Sequence, residues 1–130
     1  MTKGLHAWHE AVKAKTADAV MPLLAEDAVF ESPIVHRPQI GKALTGMYLT
    51  GALHVLNNDS FTYLNEWTGK DSAVLEFQTV IDGITVNGVD IITWNAEGLI
   101  SHFKVMVRPL KAINLVHQKM GAMLETLKAG

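Results

Sequence analysis

A chain of 130 residues has room for one domain and little more. Its 48% apolar and 18% charged residues suffice for a folded core and exclude a disordered polyampholyte. Eleven Lys+Arg against thirteen Asp+Glu leave a net charge of −2 with no basic run, so neither nucleic acid nor an anionic membrane surface is an expected partner. Cysteine is absent, which removes disulfides, thiolate nucleophiles and zinc–thiolate centres. The longest uncharged stretch, 43–58, contains His54 and two asparagines and is too short for a membrane span. The first ten residues show no apolar leader run, so a cytoplasmic location is expected.

Along the chain, Leu5, Trp8, His9 and Val12 recur at helical spacing and predict a helix over about 3–15. A second helix is expected over about 17–25, weakened by Pro22. A short strand over about 28–32 stops at Pro33, and His36-Arg37-Pro38 reads as a turn. Ile40, Leu44, Met47, Tyr48, Gly51 and Val55 then trace a helical stripe over about 39–56. Beyond Asn57-Asn58-Asp59 the apolar period shortens to two, predicting strands over about 61–67, 73–82, 84–95 and 99–108. Asn87-Gly88 is either a hairpin turn or a bulge within a long strand. Pro109 opens a final helix over about 109–127, with Leu110, Ile113, Val116 or His117, Met120, Leu124 and Leu127 on one stripe. Helices followed by a meandering, mainly antiparallel sheet define an α+β domain with helices on one face of the sheet.

Strand alternation sorts the side chains. Ile84, Val86, Ile92 and Trp94 share a face with Asp90, a carboxylate among apolar neighbours. Such a group must be paired, hydrogen-bonded or neutral, because burying an unpaired charge is very costly. Asp90 either bonds backbone amides near Asn87-Gly88, pairs with a basic residue, or serves chemistry. Phe61, Tyr63 and Trp67 are expected on one strand face as core. Val80, Val89, Ile91, Ile100 and Met106 are expected on the outer face, among Thr93, His102 and Lys104, and so apolar a patch predicts a homodimer. His6, His9 and Glu10 lack a third metal ligand, His54 caps the end of its helix, and Met120 and Met123 are expected to pack plainly, with a pliable lid over the cone as the alternative.

The stretch Leu23-Leu24-Ala25-Glu26-Asp27-Ala28-Val29-Phe30-Glu31-Ser32-Pro33 and the strand–turn–strand Val89 to Ile100 resemble two signatures of the nuclear transport factor 2-like superfamily. Its SnoaL-like polyketide cyclase and ketosteroid isomerase-like branches are the nearest. The resemblance implies a cone-shaped fold, extended here by a C-terminal helix, and a pocket working without cofactor or metal. It places Asp90 at the isomerase's oxyanion-hole acid, a carboxyl kept neutral by an apolar site. Ser32 falls where the isomerase has its general base, and serine cannot do that work unaided. Trp8 and Tyr48 fall at or near aromatic positions of the isomerase. At the cyclase's Glu-His-Trp-Asp stand His102, Phe103, Lys104 and Val105, and neither Arg37 nor Arg108 suits an epoxide-hydrolase arginine.

The combined expectation is an apolar pocket for a small hydrophobic molecule bearing a carbonyl or hydroxyl. Asp90 is its proton or hydrogen-bond donor, in an isomerase, cyclase or dehydratase. Trp8, Ser32, Tyr48, Phe77, Ile92, Trp94, Phe103 and Val105 are the expected walls. The competing expectation is a non-catalytic binding or dimerisation module in which Asp90 is structural.

Overall fold

The computed structural model describes residues 3–129, with side chains described as far as 126. Helix α1 (Lys3–Ala14) and the single turn α2 (Ala17–Val20) lead through a 3-10 turn into strand β1 (Leu24–Glu31). Strand β2 (Gln39–Ile40) and helix α3 (Lys42–Leu56) follow, then β3 (Thr62–Thr68), β4 (Ser72–Ile81), β5 (Ile84–Trp94), β6 (Ile100–Arg108) and helix α4 (Leu110–Ala129). The six strands form one sheet in the order β2-β1-β6-β5-β4-β3. Neighbours are antiparallel except β1 and β6, which run parallel because the long connection through α3 and the meander brings the chain back in the same direction.

Local chemistry explains where elements depart from expectation. The second helix, expected to about residue 25, ends at Val20, and Pro22 sits in the 3-10 turn Met21–Leu23. Proline tolerates that first-turn position but cannot donate to a continuing helix. The strand therefore starts at Leu24, four residues before its expected start at 28. Gln39 and Ile40 pair with Phe30 and Val29 rather than opening α3, and Gly41, at φ 104°, turns the chain into that helix.

Asn87-Gly88 is neither turn nor bulge, since the β4–β5 ladder runs unbroken past it. The hairpin turn is Asp82-Gly83, with φ 51° and 76°, the left-handed pair a tight antiparallel turn requires. At Gly88 a β-carbon would lie 2.6 Å from the Phe77 ring, so the glycine makes room for that ring.

Two bulges flip side chains against simple alternation. The β5–β6 register slips between Thr93 and Trp94, pairing Trp94 with Ile100 and Thr93 with His102. Ile100, expected outside, is consequently buried in the core. The β3–β4 register slips between Tyr63 and Asn65, so Tyr63 stands opposite inward-facing Phe77 while Trp67 stands opposite Val74. Trp67, expected in the core, is 55% exposed. In α4, Ala112, Leu115 and Val116 are buried whereas Leu110 is 71% exposed, and Leu127 lies outside the described side chains.

The core lies between the helices and the inner face of the sheet. Leu5 and Trp8 of α1, Phe30 of β1, Leu49 of α3, Leu75 and Phe77 of β4, Ile92 of β5 and Phe103 of β6 are buried there. Helix α4 packs against α3 and against β5 and β6. No helix among the described residues is long and apolar enough to cross a membrane.

Candidate active site

Asp90 points inward from β5, flanked in register by Leu75 of β4 and Val105 of β6. Its residue is 7% exposed. The Tyr63 hydroxyl donates a hydrogen bond of 2.8 Å to Asp90 Oδ2. The Trp8 indole N–H in turn donates to the Tyr63 oxygen at 3.1 Å. Tyr63 precedes the bulge in β3, stands opposite inward-facing Phe77, and reaches across β4 toward β5. Phe61 braces the tyrosine edge-on at 5.1 Å and stacks on Phe77 at 5.5 Å. Trp8 packs on Phe103 with ring centres 4.9 Å apart.

Burial pushes the Asp90 pKa up to about 7, and the Tyr63 hydrogen bond opposes that shift only in part. Burial and the neighbouring Asp90 charge raise the Tyr63 hydroxyl well above its ordinary range, so it remains a donor near neutral pH. The second carboxyl oxygen, Oδ1, has no hydrogen-bond partner among the described residues. Near pH 7 Asp90 is thus held at one oxygen and can offer or accept a proton at the other.

Asp90 lines a deep lobe of about 30 Å³, walled by Trp8, Leu49, Leu53, Phe61, Tyr63, Phe77, Phe103 and Val105. That is room for one or two water-sized groups, such as a single oxygen substituent. Ala52, Leu56 and Val105 are shared with a larger outer lobe of about 200 Å³. The outer lobe runs between α3, β6, α4 and the segment 32–35, with Phe30, Tyr48, Val107, Val116, His117, Met120 and Leu124 in its walls. Tyr48 stacks on Phe30 there, at 5.6 Å.

The nine residues expected at the site divide into three groups. Trp8, Phe77, Phe103 and Val105 surround the deep lobe with Asp90. Ser32 and Tyr48 line the outer lobe, where the Ser32 hydroxyl accepts from the Ile34 and Val35 amides and fastens a turn. Ile92 and Trp94 line neither lobe. Ile92 is sealed in the core, and Trp94 packs so closely over Gly4 of α1 that any side chain there would collide with its indole. Strand parity assigns a face but not a depth, and both residues lie toward the closed end of β5. Tyr63 was expected to be packing alone; alternation gives its inward face, but its hydrogen bond to Asp90 joins β3 to β5 across β4, which the apolar pattern does not announce. Glu31 lies on the opposite face, where its hydrogen bond with His102 holds it below the usual carboxylate range. His9 pairs with Glu66 at 2.8 Å, and no cluster of three or more metal-ligating side chains occurs among the described residues.

Helices over a curved, mixed sheet form the nuclear transport factor 2-like architecture. The model of the SnoaL-like domain matches residues 5–103, and the chain belongs to that family. A solved steroid delta-isomerase from Pseudomonas aeruginosa is 32% identical over 98% of this chain and 93% of its own, with a TM-score of 0.90. An uncharacterised protein with a cystatin-like fold from Silicibacter pomeroyi is 29% identical over 94% of this chain and 85% of its own, at a TM-score of 0.87. A ketosteroid isomerase-like protein from Catenulispora acidiphila, solved with trimethylamine, shares the fold at 15% identity, 87% and 90% coverage and a TM-score of 0.64. No curated protein matches the chain.

Proposed function

We propose that the protein binds a small, largely apolar molecule bearing a carbonyl or hydroxyl, and that Asp90 donates a hydrogen bond or proton to that oxygen. The observation carrying this reading is a buried carboxyl, with a pKa raised to about 7, lining a water-sized lobe that shares Ala52, Leu56 and Val105 with an apolar outer lobe. Donation to a carbonyl oxygen stabilises the charge that develops there during enolisation, which serves isomerisation, cyclisation and dehydration alike. The relative from Pseudomonas aeruginosa, with its isomerase name, supports the same class. The outer lobe, at about 200 Å³, lies below the about 300 Å³ of ordinary drug-sized sites, which favours a compact ligand.

The test is meta-cresol binding followed by calorimetry, with Asp90→Asn and Asp90→Ala beside the wild-type protein. The reading expects binding that falls about tenfold or more in Asp90→Ala and shifts with pH in the wild type but not in Asp90→Asn. Binding indifferent to both substitutions and to pH overturns it. The second reading, a non-catalytic module, is favoured by the completed Trp8–Tyr63–Asp90 chain, which by itself gives Asp90 a structural role. It predicts that Asp90→Ala costs stability and leaves cresol binding unchanged.

We also propose that two copies pair through the outer sheet face. Val74, Val89 and Ile91 form a half-buried strip there, extended by Trp67 and by Met106 at 51% exposure. Glu31, His102 and Lys104 edge it with charge.

A further inference from the structure

Resting on the reading of Asp90 as donor, we infer that His117 of α4 is the base that removes a carbon-bound proton from the ligand in the outer lobe. Enolisation needs an acceptor for that proton, and the polar side chains around the two lobes are few. Trp8 and Tyr63 are engaged in the chain to Asp90. The Ser32 oxygen is committed to the Ile34 and Val35 amides, at 3.0 and 3.1 Å. Asn57 donates to the Val12 carbonyl at 2.6 Å, and a carboxamide is not a base. Tyr48 offers a phenol, which is a poor proton acceptor at neutral pH. His117 lines the outer lobe with no hydrogen bond or ion pair among the described residues, which leaves an imidazole lone pair available there. Imidazole is the side chain suited to accepting a proton near neutral pH.

The placement suits the chemistry. With its oxygen in the deep lobe, a ligand's carbon skeleton extends past Ala52, Leu56 and Val105 into the outer lobe beneath α4. Acid and base then act at separate points of one unsaturated ketone. The imidazole takes a proton from the carbon between carbonyl and alkene, and that C–H electron pair forms a new C=C bond. The carbonyl π pair moves to oxygen, which takes the Asp90 proton. The imidazolium returns its proton to the far alkene carbon, and the dienol O–H proton goes back to Asp90. The double bond has moved into conjugation and nothing else is consumed. Among the described residues no charged side chain shares the outer lobe with His117, and Tyr48 on α3 is the other titratable group in its wall. His117 lies beyond residues 5–103, so the family pattern does not prescribe it.

The experiment follows isomerisation of a β,γ-unsaturated cyclohexenone in deuterated buffer by NMR, with meta-cresol binding measured on the same preparations. His117 is exposed, so its replacement spares the fold. For His117→Gln and His117→Ala the inference expects a rate loss of about a hundredfold with cresol affinity kept. It also expects free imidazole to rescue His117→Ala, and loss of the acid limb of the wild-type pH–rate profile in His117→Gln. Isomerisation that survives His117→Gln but fails in Asp90→Asn overturns the role of His117 and leaves that of Asp90 standing. Cresol binding without any wild-type isomerisation also overturns it. Absence of both binding and turnover overturns the reading of Asp90 together with it.

Discussion

The Tyr63 hydroxyl meets Asp90 Oδ2 at 2.8 Å, joining β3 to β5 across the strand between them. The contact leaves the other carboxyl oxygen without a hydrogen-bond partner among the described residues, and it couples the stability of the fold to the protonation of a group that lines the deep lobe.

Asp90 makes that coupling measurable. Its pKa in the folded protein, about 7, lies above the ordinary 3.8, so between those values the folded state holds a proton that the unfolded chain has released. Its contribution is fully favourable below about pH 3.8 and is lost as pH rises through about 7, by on the order of 4 kcal/mol in all. Asp90→Asn, which cannot ionise, is expected to flatten this dependence. Thermal unfolding between pH 5 and 9, a range chosen to bracket about 7, should show the variant gaining on wild type as pH rises. Parallel curves would contradict the buried-acid account.

Tyr63→Phe removes the donor that steadies the Asp90 carboxylate and leaves the Trp8 N–H without its acceptor. The expected outcome is a further rise of the Asp90 pKa above about 7 and a stability loss of about 1–3 kcal/mol. Side-chain carboxyl chemical shifts followed through a pH titration, together with urea unfolding, check both.

Gly88→Ala tests the closeness of packing behind the site. A β-carbon there would lie 2.6 Å from a Phe77 ring carbon and also collide with the Met106 carbonyl, and backbone cannot yield as a side-chain tip can. A loss of about 2–3 kcal/mol is expected in chemical denaturation. Cresol binding should weaken with it, because Phe77 is a wall of the deep lobe.

Met106→Lys places a charge in the apolar strip of the outer face, opposite Val89. If two copies pair there, sedimentation velocity should shift from dimer toward monomer, with the unfolding transition losing its dependence on protein concentration. An unchanged sedimentation coefficient in both proteins would remove that face as the interface.

Much of this architecture was legible from the residues alone. The change of apolar period near residue 60 separates helices from sheet, and alternation along β5 puts Asp90 inside with Val86 and Ile92, where it is found buried. Those patterns are local consequences of the helical and extended repeats, so they need no partner to be read. Trp67 and Ile100 were not legible in the same way. Each depends on a one-residue slip against a neighbouring strand, at Leu64 or Ser101, and a slip belongs to the pair of strands rather than to either sequence. The depth of a residue on its face is also beyond alternation, which is why Ile92 and Trp94 belong to the core and Val105 to the cavity. The sequence by itself determined that a carboxyl would be buried among apolar side chains. Only the tertiary structure decided that Tyr63 and Trp8 would hold it and that α4 would bring His117 to the adjoining outer lobe, because those meetings join residues distant in the chain.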